Sequence, residues 1–271
     1  MFIGWIRKKS FELDLNRLSE TIPIDKSLIL KSYEEYSSLC FGAYDESNLV
    51  AFISAYKLEK SFLINNFYYK DNTSDDIKKR LLKLLFENIN DDKSPILLMA
   101  KKEEKNLVSS FNFKDYSKFK KAIYHGGGVA FNFTNATSKS IIHENYMPII
   151  STLDKTAFNE DRVNYIKNTL FKQSSLILST QHGYQHSYAI NKSLIKISPW
   201  IMYESAFSDA EKMMRGIIYH RGLKKIFAFI PSDVEEITNL YTSYKFDITE
   251  EYTLVYKNSK PKIDIEMLYA F

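Results

Sequence analysis

Four consecutive stretches decide the fold: LVAFISAYKLE (49–59), FLINNFYYK (62–70), SDDIKKRLLKLLFENI (74–89) and PILLMA (95–100). The first two are dense in β-branched and aromatic residues and read as strands. In the third, Ile77, Leu81, Leu82, Leu84, Leu85 and Ile89 recur at helical spacing opposite Lys and Arg, the pattern of a helix with one buried face. PILLMA is a short unbroken apolar run, as expected of a strand covered on both faces. Beyond it, YSKFKKAIYHGGGVAFNF (116–133) alternates around Gly126, Gly127 and Gly128, which predicts a closing hairpin.

The second half replays this order. SSLILST (174–180) and HSYAIN (186–191) flank Gly183 as a hairpin, and SLIKISPWIMY (193–203) supplies the next strand. SDAEKMMRGIIYH follows as a helix, with Ser208 and Glu211 spaced as a capping box. KIFAFI (225–230) is another buried strand. SDVEEITNLYTSY carries a second capping-box spacing, Ser232 and Glu235, and FDITEEYTLVYK alternates as a closing hairpin. Helical stretches precede each strand set: DKSLILKSYEEYSSL in the first half, NYMPIISTLDKTAF and DRVNYIKNTLF in the second. A pattern seen twice predicts an α+β protein of two tandem domains, 1–135 and 136–271, each a mixed, mostly antiparallel sheet flanked by helices. The tail SKPKIDIEMLYAF ends in an apolar segment that must pack somewhere, and the other half is its expected partner.

Composition bounds the function. The 271 residues are 45% hydrophobic and 26% charged, the balance of a globular protein, which excludes wholesale disorder. A net charge of +4 over this length does not by itself imply a nucleic-acid partner. Cys40 is the single cysteine, so neither an internal disulfide nor a thiolate-rich zinc site is available, and a reducing, cytoplasmic setting is expected. The opening MFIGWIRKKSFELD does not read as a signal peptide, and no run approaches the ~20 apolar residues of a membrane helix.

The order helix, helix, three strands, helix, strand, helix or turn, two strands is similar to that of the GNAT N-acetyltransferase superfamily, whose members move an acyl group from coenzyme A to an amine. LDKTAFNEDR (153–162), ISPW (197–200) and LYTSYKF followed by LVYK resemble a bacterial tandem subgroup, and the likeness covers nearly the whole chain. It implies acetyl-CoA as cosubstrate and an amine acceptor of unknown identity. It also implies a proton donor to the departing thiolate at Tyr241, five residues before Phe246, with Lys245 where the family has Gly. Asp161 and Arg162 would face the acceptor. Coenzyme A would lie in the first half, with Phe67 and Tyr68 presenting backbone to the acyl group and Thr73, Ser74, Lys78 and Lys79 around the pyrophosphate. An anion there would use free amides at a helix start. The glycines of the family's pyrophosphate loop are missing in both halves: Thr73, Asp76 and Lys78 stand at its positions. Asp75 and Asp76 oppose an anion while Lys78, Lys79 and Arg80 favour one. Glu204, Asp209 and Glu211 surround the second helix start.

Two other readings stay open beside the transferase. One is a degenerate, non-catalytic tandem GNAT protein that binds a small molecule or partner. The other is a single-stranded nucleic-acid binder, in which Lys101, Lys102, Lys105, Lys114, Lys118, Lys120 and Lys121 interleave with Phe111, Phe113, Tyr116 and Phe119. In an alternating strand the aromatics would instead face inward and the lysines water. His182 and His186 have metal-ligand spacing but fall on a hairpin, and His143 in HENYM lacks a second histidine, so no metal is expected. The glycosylation patterns NFT and NAT (132–137) would go unused in a cytoplasmic chain.

Overall fold

The computed structural model describes residues 1–127, 138–139 and 147–271. Gly128, the glycosylation patterns and His143 therefore lie outside the described residues, apart from the strand positions 138–139. Two compact units are present, Met1–Lys114 with Val255–Pro261, and Asp115–Leu254 with Lys262–Phe271. They are not two consecutive stretches of chain, as the boundary between 135 and 136 would have made them.

The first unit contains β1 (Phe2–Trp5), α1 (Phe11–Ser19), α2 (Lys26–Glu35), β2 (Cys40–Asp45), β3 (Asn48–Lys57), β4 (Phe62–Tyr69), α3 (Asp75–Asn88), β5 (Ile96–Lys101) and α4 (Lys105–Ser109). Its strands run in the order β1-β2-β3-β4-β5, antiparallel except for the parallel pair β4–β5. Alternation along β3 feeds two cores. Ala51, Ile53 and Ala55 join Leu81, Leu82 and Leu85 of α3, while Phe52 joins Phe11, Leu15 and Leu18 of α1 and Ile29 of α2. Helix α2 starts where the Asp25 carboxylate accepts from the Leu28 N–H at 3.1 Å. Val255 joins the α3 core, the Lys257 ammonium donates to the Phe111 carbonyl at 2.9 Å, and the Ser259 hydroxyl donates to the Lys93 carbonyl at 2.6 Å. These bonds explain why the strand Asp247–Lys257 ends in the first unit.

The second unit contains β6 (Lys114–Tyr124), β7 (Ser138–Lys139), α5 (Met147–Phe158), α6 (Val163–Tyr165) with a π-helical turn at Ile166–Leu170, β8 (Leu176–Thr180), β9 (Gly183–Ala189), β10 (Leu194–Met202), α7 (Phe207–Arg221), β11 (Lys225–Pro231), α8 (Glu235–Ser243), β12 (Asp247–Lys257) and β13 (Leu268–Ala270). The order β12-β6-β11-β10-β9-β8-β7 places β6 antiparallel to β11, with Tyr124 opposite Ile226 and Phe119 opposite Pro231.

Several local expectations change. FDITEEYTLVYK is one long strand, β12, because no turn residue interrupts its alternation. Neither second-half capping box forms: Ala206 and Val234 are the cap residues, so Ser208 falls inside the first turn of α7 and Ser232 lies ahead of α8. The tail does not pack on the first unit. Residues 262–271 belong to the second, where β13 runs antiparallel to β10.

Arg162 follows Asp161, whose carboxylate accepts from the Val163 N–H at 2.8 Å. Its guanidinium is buried and binds both oxygens of Asp154 at 2.8 Å, the fork-to-fork geometry that compensates two desolvated charges. Tyr184 adds a hydroxyl donor to Asp154 at 3.2 Å. Arg162→Met leaves the Asp154 carboxylate buried without its counter-charge, so urea unfolding is expected to show a loss of about 3–5 kcal/mol. The double variant Asp154→Leu/Arg162→Met should recover much of that loss.

Candidate functional site

Each unit has a parallel strand pair that parts. In the first, β4 and β5 pair from Phe62–Ile96 to Ile64–Leu98, after which β4 runs on to Tyr69 and β5 to Lys101. In the second, β10 and β11 pair from Leu194–Lys225 to Lys196–Phe227, and β10 runs on to Met202. Both departing strands carry a bulge just beyond the split. On β4, Ser54 faces Asn66 and Ala55 faces Ile64, so Asn65 is the extra residue. On β10, Ile197 faces Ser187 and Trp200 faces Gln185, so Ser198 and Pro199 together oppose His186. A bulge re-aims the backbone there and leaves main-chain donors facing the gap.

The two gaps have different fates. In the second unit the chain's own tail fills it. β13 pairs Ala270 with Trp200 and Leu268 with Ile201, and the Phe271 N–H donates to the Phe229 carbonyl of β11 at 2.9 Å. The tail is fixed upstream as well, because the Tyr116 hydroxyl donates to the Ile263 carbonyl at 2.7 Å and accepts from its N–H at 2.9 Å. Tyr241 is part of this closure. It has no exposed surface, its hydroxyl donates to the Tyr269 carbonyl at 3.0 Å, and burial pushes its pKa well above the usual phenol value. Lys245, at φ 63°, makes the left-handed turn that ends α8 behind it. The start of α7 is also taken. Hydrogen bonds from Lys212 at 2.8 Å and His182 at 2.7 Å hold the Asp209 carboxyl down at about 2, so an ionised group already sits in the first turn. A pantetheine arm and pyrophosphate do not fit this gap.

In the first unit the bulge of β4 carries polar side chains that bond toward β3 and α2. At the bulge, the Asn65 amide donates to the Ser32 hydroxyl at 2.7 Å, the Ser54 hydroxyl donates to the Asn65 carbonyl oxygen at 2.9 Å, and the Asn66 amide donates to Ser54 at 2.8 Å. Asn66 is 1% exposed, and its Oδ1 has no hydrogen-bond partner. A buried acceptor left open costs free energy unless something donates to it. Phe67 and Tyr68, opposite Ile53 and Phe52, lie just beyond on β4, half-buried.

At the far end of β4, the Tyr69 hydroxyl donates to Glu104 at 2.7 Å, and the other Glu104 oxygen accepts from the Lys101 N–H at 2.7 Å. This bond joins the end of β4 to the turn after β5. Burial pushes the Glu104 carboxyl above its ordinary range, against the pull of the two donors. The Lys78 ammonium lies 4.3 Å from the centre of the Tyr69 ring and 3.1 Å from the Asp75 carboxylate. Thr73 is buried, Ser74 caps α3 without a side-chain bond, and Lys79 is exposed. Asp161 belongs to the second unit. Asn65, Asn66, Tyr69 and Glu104 escaped the sequence reading.

The aromatic residues proposed for base stacking are occupied. Phe119 is fully buried, Phe113 nearly so, and the Tyr116 hydroxyl is committed to the tail. Lys121 pairs with Glu250 at 2.7 Å. Among the described residues no three His, Cys, Asp or Glu side chains are grouped as metal ligands, and no helix is long and apolar enough to cross a membrane.

Solved structures share the arrangement across both units. An assigned acetyltransferase from Pyrococcus horikoshii matches with a TM-score of 0.76 at 16% identity, covering 100% of this chain and 93% of its own. The fold is that of a tandem GNAT protein. A GCN5-related N-acetyltransferase from Sphaerobacter thermophilus matches with a TM-score of 0.63 at 10% identity over 98% of each chain. A tandem GNAT protein from the clavulanic acid biosynthesis pathway gives 0.63 at 8% identity, covering 96% of this chain and 99% of that one. No protein-family model matches the sequence, and no curated protein matches it. In the second unit the tail strand β13 lies along β10 beyond the split.

The bulge of β10 has a measurable consequence. His186 is fully buried, with one ring nitrogen 2.7 Å from the Ser198 carbonyl and the other 2.8 Å from the Ser175 hydroxyl. Burial lowers its pKa from 6.5 to about 3, so the folded protein holds it neutral while the unfolded chain takes up a proton. More protons bound in the unfolded state means that stability falls as pH drops from 6.5 towards 3. Urea midpoints measured across that window should decline steadily for the wild type and less steeply for His186→Gln.

Proposed function

We infer that the protein is an acyl-CoA-dependent N-acyltransferase with one working slot, in the first unit. The observation that carries this reading is the unpaired, buried Oδ1 of Asn66 at the bulge where β4 leaves β5. An acceptor nitrogen must reach the thioester with a hydrogen to spare, and on this reading Asn66 Oδ1 receives that N–H and aims the lone pair. The acyl carbonyl would lie along β4 near Asn65 and Phe67, where main-chain N–H groups can stabilise the developing oxyanion. The amine nitrogen forms the amide bond as the carbon–sulfur bond breaks; the nitrogen gives up one proton and the thiolate takes up one. No ionisable side chain is part of the hydrogen-bonded set at Asn65 and Asn66, so the proton is passed through water. Acetyl-CoA is the expected donor, with Thr73, Ser74, Lys78 and Lys79 near its pyrophosphate. Asp161 then has its capping bond as its role, and Tyr241 its bond to the tail.

A second reading, a tandem GNAT protein that binds without transferring, is favoured by the Tyr69–Glu104 bond and by Asp75 and Asp76 in the first turn of α3. Both put negative charge where a pyrophosphate would rest. Thermal unfolding with acetyl-CoA separates the two. On the transferase reading, ligand about a hundredfold above its Kd adds about 2.7 kcal/mol, and Glu104→Gln tightens binding several-fold by removing a buried acid. Absence of any shift with either protein favours the second reading.

Two variants test the residue roles. Asn66→Ala should cut kcat/KM about tenfold or more while leaving the acetyl-CoA shift intact. Tyr241→Phe should cost about 1 kcal/mol of stability through the lost bond to Tyr269 and leave turnover unchanged. A slowed Tyr241→Phe enzyme of normal stability would return that tyrosine to the chemistry.

A further inference from the structure

The first unit holds a cavity of ≈ 330 Å³ where three connections meet: α1–α2 (Thr21, Ile22), β2–β3 (Asp45) and β4–α3 (Lys70–Thr73). Small-molecule sites span roughly 300–1,000 Å³, so this one has room for a ligand of amino-acid size and not for a nucleotide cofactor. Its chemistry is mixed in an ordered way. Lys70 supplies one cation, Asp45 and Asp71 supply carboxylates, and Ile22, Val50 and Ile77 supply an apolar wall.

Among the described residues, the side chains of Asp45, Lys70 and Asp71 make no hydrogen bond or ion pair. Three other charged groups of the unit have partners: Lys78 with Asp75, Lys31 with Glu34, and Glu104 with Tyr69. The backbone beneath the three is held, because the Lys70 N–H donates to the Val50 carbonyl at 3.0 Å and the Thr73 N–H to the Lys70 carbonyl at 2.9 Å. Two signs of charge on fixed backbone, beside an apolar wall, complement a small molecule carrying both charges and an apolar side chain.

We propose that this cavity binds a free zwitterionic α-amino acid with an apolar side chain, its carboxylate on Lys70, its ammonium on Asp45 and Asp71, and its side chain against Ile22, Val50 and Ile77. The binding stands without acyl transfer.

Isothermal titration of the full chain, with no coenzyme A present, tests it with three probes: L-leucine, L-leucinamide (no carboxylate) and N-acetyl-L-leucine (no ammonium). L-leucine should bind saturably at millimolar concentration or below, and each blocked form about tenfold more weakly, the loss of one charged contact. Lys70→Gln should weaken L-leucine about tenfold while leaving L-leucinamide where it was, and Asp45→Asn should do the converse with N-acetyl-L-leucine as the unaffected probe. These positions are at the surface, so both variants are expected to fold, and their thermal midpoints check that. Equal affinity for the three probes, no saturable binding of L-leucine, or wild-type affinity in both variants overturns the proposal. Leucine binding in a protein that shows no acetyl-CoA turnover would remove the transferase reading and leave this one standing.

Discussion

Two parallel strands that pair briefly and then part impose a debt of hydrogen bonds, and the rest of each unit is arranged around it. Beyond Ile64–Leu98 and beyond Lys196–Phe227 the strands run on without each other. Main-chain groups facing such a gap must find partners in water, side chains, a ligand or another strand, since leaving them buried and unmade is costly. The second unit answers with a strand of its own chain. The first answers with short polar side chains at the bulge and a tyrosine–glutamate bond at the mouth. The same architecture therefore ends in one gap covered by the chain's own tail and one flanked by short polar side chains.

The elements that form this frame were readable because their signals are local. Alternation gives β3, β4 and β10, apolar spacing every three or four residues gives α3, and unbroken apolar runs give β5 and β11. Non-local partnerships were not readable. DIEMLYAF shows an apolar segment in search of cover, but nothing in it names the edge of β10 as its destination. Likewise the alternation of FDITEEYTLVYK is equally consistent with a hairpin and with a single strand whose end joins another unit.

The site residues divide in the same way. Paired asparagines inside FLINNFYYK are unusual for a covered strand, and that anomaly was the available sign of the bulge at Asn65 and Asn66. The spacing of Lys101 and Glu104 is that of a helix start, and the Glu104 carboxylate does accept from the Lys101 N–H. Its burial against Tyr69 depends on how α4 settles, which no local pattern encodes. Tyr241, at a position the family uses for chemistry, is here a fully buried hydroxyl bonded to the Tyr269 carbonyl.

Val255, a core residue of the first unit, is reached by the ribosome only after every residue from Asp115 to Leu254 has been made. The amino-terminal unit, although it is the first to emerge, therefore lacks part of its α3 core until most of the second unit has been made, and the second is complete only with residues 262–271.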